Sequence, residues 1–397
     1  MELYYDGKKS VNDILDNVPQ LALPVKNDFD IENNNLLIKG DNLYVLQTLR
    51  KQFGFKNKID LIYIDPPFST NTTFTIGNDR VSTISFSKND DIAYSDNLSG
   101  YEYLEFIRER LILARELLSD VGSIYFHIDY KIGHYVKIIM DEVFGIENFR
   151  NDITRIKCNP KNFDRKAYGN IKDMVLFYSK NKTPIWNGPR ELFTEDDISK
   201  LFKKIDKNGR AYTTIPLHAP GETMNGATCQ EFKGLKPPKG RHWRCDPREL
   251  EELDSQGLIE WSSNGNPRKI IYADEQLGKK MQDIWEFKDY QYPLYPTEKN
   301  INLLKTIISA SSNEGSIVMD FFCGSGTTIA AAQELGRRWI GVDRSEKAIE
   351  VTRKKLGSLA TDLFSTVPYT FLEETKPEKP ASLSGATIRQ VKEVANG

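Results

Sequence analysis

The sequence predicts an α/β fold built on a mainly parallel, doubly wound sheet, and three observations carry that expectation. The apolar run Ile59-Asp60-Leu61-Ile62-Tyr63-Ile64 halts at Asp65-Pro66-Pro67-Phe68. A second apolar run, Ile317-Val318-Met319, ends in an acid and a glycine-rich turn, Asp320 to Thr327. Between and around them, strand-like runs alternate with segments of helical periodicity, the texture of parallel strands joined by crossover helices.

The elements follow in order. An N-terminal extension covers residues 1–35. Near Leu36 the first α/β half begins, and Asp41 or Asn42 caps a helix to Leu49, because a short side-chain oxygen can accept from the orphan N–H groups of a first turn. The run 59–64 reads as a buried strand, since parallel strands are apolar on both faces. Two prolines forbid helix and further ladder bonding, so the strand stops at Asp65. Residues 69–99 are polar and weakly periodic, long for a loop, which marks a functional segment over the site or against a partner. Tyr101 to Ser119 is amphipathic, with Leu104, Ile107, Leu111, Leu113, Leu117 and Leu118 on the apolar positions. Gly122 punctuates, 123–128 reads as a strand, about 131–143 as a helix, and 174–178 as another strand.

Residues 36–180 thus form one half. Residues 181–285 change texture: they are rich in proline and glycine, with one short helix near 247–256, and suggest an irregular α+β insertion built for surface recognition. A second α/β half covers 286–360, with a helix Thr328–Leu335 and a strand ending at Asp343. A partly ordered extension, 361–397, closes the chain.

Composition narrows the function classes. At 397 residues with 39% hydrophobic content, the chain can bury the cores of two or three domains. No apolar run approaches the roughly 20 residues of a membrane helix, and the N-terminus has no signal-peptide core. Cys158, Cys229, Cys245 and Cys323 lack metal-ligand spacing and read as free thiols of a cytoplasmic protein. His127, His134, His218 and His242 fit no zinc pattern, so no metal is expected. Net charge is -2, yet basic residues gather at 150–172 and at 231–248. There Lys239, Arg241, Arg244 and Arg248 suggest a nucleic-acid-facing surface, against the alternative of solvated surface with local ion pairs.

The two sharp motifs suggest a chemistry. Asp65, Pro66, Pro67 and Phe68 leave an acid, a bare proline carbonyl and an aromatic face at the carboxyl end of a strand, where open α/β sheets bind ligands. That set can hold a flat base and accept hydrogen bonds from its amino group. In Asp320-Phe321-Phe322-Cys323-Gly324-Ser325-Gly326-Thr327 the glycines allow a tight turn against a ligand, and Asp320 can pair with an ammonium group. Phe321 and Phe322 either wall that pocket or pack against the sheet. Asp343, at the end of the next strand, stands where a carboxylate accepts from ribose hydroxyls. Asp41 is placed to help hold an adenine. A dinucleotide is the competing ligand, but the acid before the glycines and the Asp-Pro-Pro-Phe partner favour S-adenosylmethionine. The loop is no Walker motif, lacking Gly-Lys-Ser/Thr. Cys323 has no histidine beside it in sequence to activate a thiol.

Together these residues resemble the amino-group DNA methyltransferases, in particular the permuted (beta) class, in which the catalytic motif precedes the cofactor motif. Asp65 to Phe68 matches the family's catalytic Asp-Pro-Pro-Tyr/Phe. Asp320 to Thr327 matches its S-adenosylmethionine loop, Gly40-Asp41-Asn42 an N-terminal segment that reaches the cofactor, and Gly341-Val342-Asp343 the ribose-binding acid. Tyr295-Pro296-Thr297-Glu298-Lys299 is similar to the family's Tyr-Pro-Thr-Gln-Lys-Pro, departing at Glu298 and Asn300; Lys299 is carried over as a cofactor contact. The resemblance covers about 36–360. It implies a Rossmann-like fold whose catalytic half is 36–180, whose cofactor-binding half is 286–360 and whose target-recognition region is 181–285. Pro237 to Arg244 is similar to a segment of adenine-modifying members, including modification subunits of restriction systems. The expected activity is transfer of methyl from S-adenosylmethionine to N6 of a flipped adenine in double-stranded DNA, the opening aspartate favouring adenine over N4 of cytosine. RNA or protein-amide methylation, and a non-catalytic DNA-binding specificity partner, are the alternatives. The resemblance also raises a homodimer and a restriction subunit as partners.

Overall fold

The computed structural model describes residues 2–20, 31, 33–67, 73–76, 81–82, 91–95, 100–160, 166–291, 293, 298–359, 367–375 and 387–390. The chain forms two compact units, one made of 1–188 with 282–397 and the other of 189–281.

The first unit is built on a ten-stranded sheet. Its strands are β1 (Leu36–Lys39), β2 (Ile59–Ile64), β3 (Leu118–Ile128), β4 (Phe149–Ile156), β5 (Lys172–Ser179), β6 (Ile284–Trp285), β7 (Ile317–Asp320), β8 (Arg338–Asp343), β9 (Thr370–Thr375) and β10 (Thr387–Gln390). They lie side by side in the order β6-β4-β5-β3-β2-β7-β8-β1-β9-β10. From β3 to β9 all neighbours are parallel, and β5 and β10 run antiparallel to theirs. This is the expected Rossmann-like, mainly parallel sheet with an inserted region. The order also joins what the chain separates. β2 pairs with β7, Leu61 opposite Val318 and Ile62 opposite Met319.

Helices pack on one another in two groups: α1 (Val11–Asn17), α2 (Asn42–Lys51), α3 (Gly100–Leu117) and α4 (Gly133–Phe144), and then α5 (Ile301–Ser311), α6 (Thr327–Glu334) and α7 (Glu346–Ser358). Ser10 caps α1 and Asp41 caps α2, their side-chain oxygens accepting from Asp13 N and Leu43 N. Ile59, Leu61, Ile62, Tyr63 and Ile64 of β2 are buried, as are Val318 and Met319 of β7, so the sheet centre is apolar on both faces.

Two expectations differ from the structure. β3 begins at Leu118 and runs through Gly122, which does not end the strand. A Cβ there would lie 2.8 Å from the Ile59 carbonyl, beside an irregularity in the β2–β3 register, so the glycine serves a close backbone approach. Within 69–99, the described residues Thr73–Ile76, Val81–Ser82 and Asp91–Ser95 form a small antiparallel sheet. The C-terminal extension supplies β9 and β10 to the main sheet.

The second unit holds a four-stranded antiparallel sheet and a hairpin, His218–Pro220 with Arg241–Trp243, around a core of Leu217, Phe232, Trp243 and Leu250. Among the described residues no helix is long and apolar enough to cross a membrane.

Candidate active site

Because β2, β7, β8 and β1 are adjacent and parallel, their carboxyl ends open on one sheet edge. Four segments meet there: Asp65–Pro67, Asp320–Thr327, Asp343–Ser345 and Gly40–Asn42. This is the crevice where open α/β sheets bind ligands.

The glycine turn is fixed by α7. Gly324 and Gly326 have φ of +49° and +72°, a left-handed backbone that side chains disfavour. A Cβ on Gly326 would lie 2.6 Å from Thr352, whose hydroxyl donates to the Gly324 carbonyl at 3.0 Å. Gly326 N donates to the Cys323 carbonyl, and Cys323 N to that of Val342. Burial pushes the Cys323 thiol up, which keeps it protonated and a poor nucleophile. Phe321 is buried in the core, and Phe322 packs at its margin against Phe106.

Two acids frame this turn. Asp320 accepts from Phe322 N at 3.0 Å and from the Thr328 hydroxyl at 2.6 Å. Even so, its carboxyl is pushed up to about 7, because burial outweighs both bonds and the charges of Asp65 and Asp343 add to it. Asp343 accepts from Gly324 N at 2.9 Å and Ser345 N at 2.8 Å, and burial raises it as well.

On the other flank, Asn42 donates to the Phe321 carbonyl at 2.7 Å. Arg110 holds this arm, donating to Asn42 Oδ1 at 2.6 Å and to Asp41 Oδ1 at 3.2 Å. Burial lowers the Arg110 guanidinium to about 10. Asp41 therefore both caps α2 and borders the edge.

Asp65 is held by Lys299, Nζ to Oδ2 at 2.7 Å. Its Oδ1 is buried without a hydrogen-bond partner among the described residues. Glu298, next to Lys299, pairs with Lys355 at 2.5 Å, and the Lys355 ammonium also donates to Thr327 Oγ1 at 2.9 Å and Ser325 Oγ at 3.4 Å. Under β2, Tyr63, His127 and Asp173 form a buried polar chain that continues to Lys157 and Arg155. Pro66 is buried and Pro67 half-buried. Phe68 lies outside the described residues.

The acid set tests the fit of a cationic cofactor. Asp320 and Asp343 have no cation within ion-pair distance among the described residues, yet both sit in a site whose burial disfavours their charge. A ligand ammonium against Asp320 and hydroxyls against Asp343 would relieve both. The residues fit such a group.

In the second unit, Lys239, Arg241, Arg244 and Arg248 are exposed. Arg241 Nη1 donates to His218 Nδ1 at 3.1 Å and Arg244 Nε to the Pro216 carbonyl at 3.0 Å. Trp243 is a core residue. Among the described residues no cluster of His, Cys, Asp and Glu could hold a metal ion.

Sequence reasoning missed Arg110, Thr352, Lys355 and the His127–Asp173 pair. Each works through a partner remote in the chain, and no local signal marks it.

A family model described as DNA methylase matches residues 59–354. The Type II methyltransferase M.EcaI of Enterobacter cloacae is 41% identical over 363 residues, 89% of this chain and 77% of the relative. The probable type III restriction-modification enzyme HindVI Mod subunit of Haemophilus influenzae is 26% identical, over 79% of this chain but 49% of its own length. The crystal structure of an M1.HpyAVI–SAM complex aligns with 81% of this chain and 100% of its own, at 17% identity and a TM-score of 0.42.

Proposed function

This chain belongs to the DNA methylase family, and from that premise we propose that it is a site-specific DNA methyltransferase of the permuted class, acting on N6 of adenine with S-adenosylmethionine. One observation carries the reading. Asp65 directly follows the strand paired with the strand of the glycine turn, and its buried Oδ1 has no hydrogen-bond partner among the described residues. An acceptor that is buried and unsatisfied is costly unless a ligand donor completes it. The exocyclic amino group of a base is such a donor.

S-adenosylmethionine supplies an electrophilic methyl group on a sulfonium. The chain's own residues hold both reactants. Asp320 takes the cofactor's ammonium, Asp343 its ribose hydroxyls, the 321–327 backbone its contour, and Asp41 with Asn42 its adenine side. Asp65 accepts one amino hydrogen of the target base and the Pro66 carbonyl the other. These bonds turn the nitrogen lone pair away from the ring and stabilise the positive charge that grows on nitrogen. The proton passes to solvent after transfer, when the nitrogen is cationic and acidic, so Asp65 need not be a strong base. Phe68 is assigned to stack on the base, which must leave the duplex to reach the site. Lys239, Arg241, Arg244 and Arg248 are assigned to DNA in the second unit.

The aspartate that opens the catalytic motif supports adenine. Incubating the full chain with labelled S-adenosylmethionine and mixed-sequence duplex DNA, then identifying the modified base after digestion, tests the reading. N6-methyladenine is expected. N4-methylcytosine would overturn the choice of base, and unlabelled DNA would overturn the activity. The chain spans about half of the HindVI Mod subunit, and that similarity makes a restriction subunit the protein partner to test.

A further inference from the structure

Glu298 and Lys299 are consecutive, yet they point to the two halves of the site. Lys299 pairs with Asp65 of the catalytic motif at 2.7 Å. Glu298 pairs with Lys355 at 2.5 Å, and Lys355 in turn donates to Thr327 and Ser325 of the glycine turn. All four charged side chains are largely shielded, at 9% to 16% exposure, where ion pairs are screened little by salt.

The local electrostatics say why Glu298 is acidic. Lys355 sits in the last turn of α7 and reaches the first turn of α6, whose helix dipole repels a cation. A carboxylate beside it offsets that repulsion. The neutral glutamine of the family's Tyr-Pro-Thr-Gln-Lys-Pro could not.

The geometry points to the Glu298-Lys299 dipeptide as a two-headed tether: Glu298 is a positioning residue that, through Lys355, couples the state of the cofactor turn to the hold of Lys299 on Asp65. A ligand that shifts Ser325 or Thr327 must move Lys355, then Glu298, then the adjacent lysine. By reciprocity, whatever displaces Lys299 from Asp65 alters cofactor affinity. The inference rests on the proposed methyltransferase reading.

Its test is a double-substitution cycle read in binding rather than turnover. The full chain, D65N, E298Q and D65N/E298Q are titrated with S-adenosylhomocysteine by calorimetry, after thermal unfolding has shown each to be folded. The expected result is non-additivity of about tenfold, within the range for residues of one network. The charge-swapped E298K/K355E chain is expected to restore most of the affinity lost in E298Q, a rescue that a packing role alone would not give. Additive effects, or a swap no better than E298Q, would overturn the tether. A wild-type chain that neither binds the ligand nor methylates DNA would instead count against the underlying reading.

Discussion

The Tyr63 hydroxyl and His127 Nδ1 lie 2.8 Å apart inside the sheet, and His127 Nε2 faces Asp173 Oδ2 at 3.3 Å. The network assigns the proton to Nε2, which donates to the carboxylate, while Nδ1 accepts from Tyr63. Tyr63 lies two residues before Asp65, near the carboxyl end of β2. The chain of bonds braces the strand end that leads into Asp65.

His127→Ala should therefore leave the Tyr63 hydroxyl and the Asp173 carboxylate short of a partner. A loss of about 2–4 kcal/mol is expected, measured by urea unfolding. A loss below about 0.5 kcal/mol would show the brace to be idle. The pH dependence has a definite sign. Burial first, and then the Lys299 charge, hold His127 below its ordinary value. The unfolded chain thus binds a proton that the native chain does not. This contribution is intact above about pH 6.5 and declines as pH falls below it. His127→Gln should flatten that decline.

Asp320 works in the opposite sense. Its carboxyl is raised to about 7, chiefly by burial, so the native chain keeps a proton that the unfolded chain gives up near pH 4. The stability it contributes is full below that and is lost as pH rises through about 7. In the cofactor-free protein, Asp320→Asn should raise the unfolding midpoint at pH 8 more than at pH 5. Binding of a ligand ammonium should expel the proton. Calorimetry of S-adenosylmethionine binding near pH 7, in buffers of different ionisation heat, should show proton release that Asp320→Asn abolishes. Identical heats in every buffer would contradict the ammonium assignment.

Gly326→Ala joins two costs, a left-handed φ of +72° and a Cβ 2.6 Å from Thr352. Destabilisation of about 2 kcal/mol is expected, with S-adenosylhomocysteine affinity falling more than tenfold. Gly357→Ala, where a Cβ meets nothing within 4 Å, is the control and should leave affinity unchanged. Equal effects of the two substitutions would sink the claim.

What the sequence discloses is what a short window can encode. Two prolines after an apolar run end a strand at Asp65, and an acid, two glycines and a helix start define the turn at 320–327. Their meeting is a fact of sheet order, and only family resemblance anticipates it. The side chains that support them are harder to see. Arg110 lies on an amphipathic helix where an arginine reads as surface, yet it is buried against Asn42 and Asp41. Lys355 is one of several lysines on α7, and its role follows from a partner 57 positions away. Gly122 was misleading for a physical reason: it relieves a close approach inside a strand, where glycine ordinarily signals an end.

The central claim is that Asp65 presents an acceptor to an amino group beside the cofactor turn. The most direct measurement compares the full chain with Asp65→Asn, both saturated with labelled S-adenosylmethionine and duplex DNA, in single-turnover methyl transfer. The account predicts N6-methyladenine from the parent chain and, with cofactor saturating for both proteins, transfer reduced at least about a hundredfold in the variant. Equal transfer by both proteins would contradict it.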